Sequence, residues 1–152
     1  VLPGNTAPPD AAQEHDRCGI TKTEENAMHT QQYDALIEAF QACALACDTC
    51  AGACLREDDV KMTAECIALD MDCAQICRLT ASLAARDSRF TAALAGTCAD
   101  VCDACGDQCA GHQAQHCQDC ARACRHCADA CRQLAAGGAK VPAQADAVGA
   151  PH

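Results

Sequence analysis

Sixteen of the chain's seventeen cysteines recur at the intervals where a helix would normally carry leucines. The runs are Cys43, Cys47, Cys50, Cys54; then Cys66, Cys73, Cys77; then Cys98, Cys102, Cys105, Cys109; then Cys117, Cys120, Cys124, Cys127, Cys131. Steps of three and four put successive side chains on one face of an α-helix, and a helix in a folded domain buries that face. The chain is therefore constrained to form several helices around a shared core of thiols.

The spacing predicts four helices, at about 30–54, 58–84, 88–110 and 115–136. Their core faces read Tyr33, Leu36, Phe40, Cys43, Cys47, Cys50, Cys54 on the first and Met62, Cys66, Leu69, Cys73, Cys77 on the second. The third reads Phe90, Leu94, Cys98, Cys102, Cys105, Cys109, and the fourth runs from Cys117 to Cys131 and Leu134. Asp58 or Asp59 and Ser88 are suitable N-caps for the second and third helices. Residues 1–22, rich in Pro, Gly, Asp and Thr, read as a disordered leader. Residues 137–152 read as a disordered tail beyond a glycine C-cap. Helices joined by a few residues are normally antiparallel neighbours. The expected fold is all-α: an antiparallel up-down-up-down four-helix bundle over residues 23–136, with a cysteine-lined core.

That arrangement gives the bundle a direction. The start of the first helix, the end of the second, the start of the third and the end of the fourth share one end. It collects Tyr33, Leu36, Phe40, Phe90, Leu94 and Leu134, an apolar plug. The opposite end collects Cys54, Met62, Cys109, His112, His116 and Cys117, soft donors without a bulky apolar residue. Metal entering the bundle is expected to enter there.

Composition narrows the partners. A formal net charge of −10 and the lack of a basic stripe argue against nucleic acid. No apolar run reads as the ~20 residues of a membrane span, so none is expected. The first residue is Val and the leader is polar, which favours an exported or periplasmic protein over a cytoplasmic one. A core of Ala and Cys gains less per side chain from burial than one of Leu and Phe, so bound metal should supply much of the stability.

Several chemistries could use such a column. A disulfide scaffold would make this a helical structural or interaction protein. The odd cysteine count and the poor geometry of pairs on consecutive turns weigh against it. Zinc needs four ligands converging on each ion, and sixteen thiols along continuous helices are not the usual way to supply them, although a zinc-binding metallothionein-like protein stays open. Iron–sulfur clusters need a cavity that packed helices do not obviously leave. A catalytic cysteine needs one activated thiol beside a base, and no thiol is singled out. Cu(I) is soft, accepts two or three ligands and tolerates bridging thiolates. Pairs at i, i+3 and i, i+4, with Cβ atoms about 5–6 Å apart, supply a near-complete site for it. The expected capacity is roughly one ion per bundle cysteine.

The motifs resemble the bacterial copper storage proteins, a cysteine-rich four-helix-bundle family. The stretches that carry the resemblance are MHTQQYDALIEAFQACALACDTCAGACL, DDVKMTAECIALDMDCAQICRL, FTAALAGTCADVCDACGDQC and HCQDCARACRHCADACRQLA, together about two thirds of the chain. The resemblance implies a non-enzymatic store of many Cu(I) ions, held by the sixteen cysteines, with Met62, His112 and His116 near the mouth. It also implies a homotetramer in some members, and a protein that delivers or receives copper is a further expected partner. Two features depart from the pattern. Cys18 lies outside the helices. The second helix has Leu69 where the column needs a thiol, and the neighbouring Asp70 is expected to face solvent.

Overall fold

The computed structural model describes residues 21–136. The leader before residue 21, with Cys18, and the tail after residue 136 lie outside them. The described residues divide into two units, with the division between Gln31 and Gln32. Four α-helices and one short 3₁₀ turn make up the described part: α1 (Lys22–Cys54), a 3₁₀ turn (Val60–Thr63), α2 (Ala64–Ala85), α3 (Thr91–Ala110) and α4 (Gln115–Ala136).

Helix α1 begins eight residues earlier than the cysteine pattern predicts, and a capping box accounts for this. Thr21 Oγ1 accepts from the Glu24 amide at 3.4 Å, while Glu24 Oε2 accepts from the Thr21 amide at 2.9 Å. Each side chain satisfies an amide that the first turn leaves without an intrahelical partner.

Within the second unit, sulfur–sulfur approaches define the topology. Cys54 and Cys50, at the end of α1, face Cys117 at the start of α4, and Cys43 faces Cys124. Helix α2 runs against α3 in the same sense: Cys66 meets Cys109, Cys73 meets Cys102 and Cys77 meets Cys98. The diagonal contacts Cys73–Cys124 and Cys77–Cys127 show α2 and α4 running parallel. This is the up-down-up-down bundle that the spacing predicts. Exposed ion pairs tie neighbouring helices on the outside, Arg78 to Asp48 between α2 and α1 and Arg132 to Asp103 between α4 and α3.

Every bundle cysteine is buried, and alanines fill the space between them. At Gly106 a Cβ would stand 3.2 Å from Cys124 Cβ, so the absence of a side chain there lets α3 and α4 close on the column. Cysteine and alanine also raise the apparent hydropathy of α1. Contrary to the sequence expectation, Tyr33–Cys54 is long and apolar enough to match a membrane span by length and composition. Its cysteines nonetheless point into the bundle core.

The plug forms with one correction. Leu36, Phe40 and Leu134 are buried and Tyr33 packs against them, but Phe90 is 57% exposed, its ring under the Arg89 guanidinium. Helix α3 starts at Thr91, and Thr91 and Ala95 face inward instead of Phe90 and Leu94. The reason is helical drift. Seven residues back from Cys98 returns to the same face within about 20°, whereas eight residues back lands about 80° away. A parallel correction applies to the second helix, which starts at Ala64 and not near residue 58. In the preceding 3₁₀ turn Thr63 faces inward and Met62 is 71% exposed, so Met62 is not on the core face.

Candidate metal-binding site

The column begins at the mouth. Cys50 and Cys54 on the last turns of α1 stand 3.7 and 3.9 Å from Cys117 on the first turn of α4. His116, one residue earlier, turns Nδ1 toward all three sulfurs, at 3.4 Å from Cys117, 3.5 Å from Cys50 and 3.9 Å from Cys54. The four donor atoms lie within 4.8 Å of one another. Nε2 on the far side of the ring is 2.7 Å from Glu57 Oε1. His112 is half-buried in the α3–α4 loop. That loop is held by Gln118, whose side-chain amide donates to the carbonyls of Ala110 and His112 at 3.2 and 2.6 Å.

One step inward, Cys66 and Cys109 approach to 3.2 Å, still far from the ~2.05 Å of a disulfide. All sixteen bundle cysteines are free thiols.

Next comes a carboxylate. Asp70, expected in solvent, is 0% exposed. Its Oδ1 accepts from the thiols of Cys105 at 3.1 Å, Cys120 at 3.2 Å and Cys109 at 3.4 Å, and its Oδ2 accepts from Cys66 at 3.7 Å. Burial pushes Asp70 up to about 8, because an apolar, thiol-lined site solvates the carboxylate poorly. Asp70 therefore fills the break in the column, and Leu69 is only partly buried beside it. Spacing alone does not separate the two, since Cys66, Asp70, Cys73, Cys77 steps by four, three and four and Leu69 in its place by three, four and four.

Beyond Asp70 the thiols interlock. Cys47, Cys105, Cys120 and Cys124 form one group, Cys43, Cys47, Cys73 and Cys124 a second, Cys43, Cys73, Cys77 and Cys102 a third, and Cys77, Cys98, Cys102 and Cys127 a fourth. Each of these four draws on three helices. Cys131 continues the column toward the plug, beside Cys98 and Cys127. Burial pushes the Cys54 thiol up, and Cys117 up to about 12. Hydrogen bonds from neighbouring thiols act the other way on Cys43, Cys66, Cys73, Cys98 and Cys120 and push them down.

The overlap of the groups decides what the column can hold. Cys43, Cys47, Cys73, Cys77, Cys102 and Cys124 each belong to two of them. Separate tetrahedral zinc sites would compete for these sulfurs. Ions of low coordination number, bridged by shared thiolates, use them all. Of the residues that the sequence singles out near the mouth, the structure brings His116 to the sulfurs, leaves His112 at the approach and puts Met62 outside. Sequence reasoning missed Asp70, Glu57 and Gln118.

The family model described as "Copper storage protein" matches residues 29–136. The chain belongs to the copper storage protein family. Within that family it is 43% identical to a cytosolic copper storage protein from Streptomyces lividans, solved with five coppers; the match covers 73% of this chain and 98% of that one, with a TM-score of 0.70. The metal-free copper storage protein from Bacillus subtilis is likewise 43% identical over 67% of this chain and 97% of its own, with a TM-score of 0.64. A cysteine-rich Bacillus subtilis protein of uncharacterised function is 44% identical over 74 residues, 48% of this chain and 68% of its own length. The chain itself is helical and lined with buried cysteines among the described residues.

Proposed function

We propose that this chain sequesters Cu(I) without catalysing a reaction, using the sixteen bundle cysteines as bridging thiolates and His116 as the imidazole donor at the mouth. The observation that carries this reading is the sharing of sulfurs between the four groups that run from Cys47, Cys105, Cys120 and Cys124 to Cys77, Cys98, Cys102 and Cys127. Thiolate softness selects Cu(I), and shared ligands let the number of ions approach the number of thiols. The five coppers in the Streptomyces lividans relative support the same cargo here.

That relative's cytosolic setting supports a cytoplasmic location, whereas the expectation of export gains no support. A homotetramer, and a donor or acceptor protein that meets the mouth around His112 and His116, complete the proposal.

An anaerobic Cu(I) titration against a competing chelator tests it. Saturation near sixteen ions is the expected result. Saturation near four would point to separate four-ligand sites, as zinc would use, and would refute the storage reading.

A further inference from the structure

Residue Glu57 lies beyond the last turn of α1, where its amide donates to the Cys54 carbonyl at 3.1 Å. That turn fixes its backbone one step from the mouth sulfurs. From there its carboxylate crosses to α4 and meets His116 Nε2 at 2.7 Å. The opposite ring nitrogen, Nδ1, faces Cys50, Cys54 and Cys117. We propose that Glu57 is a positioning residue: it holds the His116 ring with Nδ1 directed at the first metal site. This rests on the Cu(I) reading of the column.

The argument is one of donors and acceptors. An ionised carboxylate only accepts hydrogen bonds, so the contact requires the ring proton on Nε2. In the neutral imidazole the lone pair is then on Nδ1, on the side of the sulfurs, where a soft ion would bind. The ring sits at the rim, its side chain 21% exposed and that of Glu57 37% exposed. Among the described residues, Glu57 makes the only hydrogen bond to Nε2. Without it the ring is free to turn outward or to present its other nitrogen. Carboxylate partners of metal-binding histidines typically orient the ring and raise its basicity in this way. No local sequence pattern marks Glu57, because it meets His116 across 59 positions of chain.

The test compares Glu57→Ala, Glu57→Gln and His116→Ala in the full chain. In metal-free protein labelled with ¹⁵N, the Nε2 proton of His116 should give a protected ring signal. Glu57→Gln, which keeps an oxygen acceptor, should retain it and Glu57→Ala should lose it. Affinity for the first Cu(I), measured against a chelator, should fall about tenfold in Glu57→Ala and change little in Glu57→Gln. Glu57→Ala added to His116→Ala should cost nothing more. An unchanged ring signal in Glu57→Ala would overturn the proposal, as would an equal loss of affinity with and without His116. Failure of the unmodified protein to take up Cu(I) would overturn the storage reading instead, and the ring signal would still decide the role of Glu57.

Discussion

Replacing Asp70 by Asn should make the metal-free protein more stable, by an amount that grows with pH. Asp70 is fully buried, and burial lifts it from its usual 3.8 to about 8. Between those values the folded protein keeps the proton and the unfolded chain releases it. Stability contributed by this group is therefore fully present below about pH 4 and is lost progressively as pH rises toward 8. The slope is at most about 1.4 kcal/mol per pH unit, so from pH 5 to pH 7 the wild-type protein should lose up to about 2.7 kcal/mol through Asp70 alone. Asn has nearly the same shape, offers one acceptor to the thiols and does not titrate. Any cost of the exchange in hydrogen bonding is a constant offset. The same sixteen bundle thiols are present in both proteins, so their own titration largely cancels in the difference. Urea unfolding of the reduced, metal-free proteins at pH 5, 6 and 7 gives the comparison directly. The difference between Asp70→Asn and wild type should widen by 1–3 kcal/mol, about the range above. A difference that stays constant across the three pH values would refute the argument, since it would mean that Asp70 is ionised within the folded core.

Two other predictions use different parts of the molecule. Gly96 is exposed within α3 with nothing near its missing Cβ, so Gly96→Ala should raise stability by about 1 kcal/mol, whereas Gly106→Ala meets Cys124 Cβ at 3.2 Å and should forfeit most or all of that gain in thermal unfolding. Cu(I) loading should release about one proton per thiolate formed, and affinity should rise with pH, because burial holds mouth thiols such as Cys117 protonated; pH-stat titration during loading measures this, and no proton release would show the thiols already ionised.

The cysteine column and the bundle were legible in sequence for one physical reason. Buried thiols repeat at the helical period, and few other constraints produce that repeat. Asp70 was not legible because Leu69 also stands at helical steps from Cys66 and Cys73, three and four against four and three, and hydropathy argued for Leu69. Hydropathy misled because four thiol hydrogen bonds compensate the burial of the carboxyl group. Phe90 and Met62 failed in the opposite sense. Both are apolar residues, Phe90 eight positions before Cys98 and Met62 four before Cys66, and both lie at a helix start, where drift or a 3₁₀ turn rotates the side chain outward. The early start of α1 was readable from Thr21 and Glu24, a local pair. Glu57 and Gln118 were not, because their roles depend on which loops the bundle brings together.

The contacts of Cys43 carry a last consequence. Its sulfur meets Cys73, thirty residues away, and Cys124, eighty-one residues away. An ion held between such sulfurs closes a long loop of chain, as a cross-link does, and restricts the unfolded ensemble accordingly. Proteases that act on opened chains read the population of the open form. Each added ion makes that form rarer, so a filled protein should outlive an empty one in the same cell. Turnover would then clear the empty molecules first, and the cargo would set the lifetime of its container.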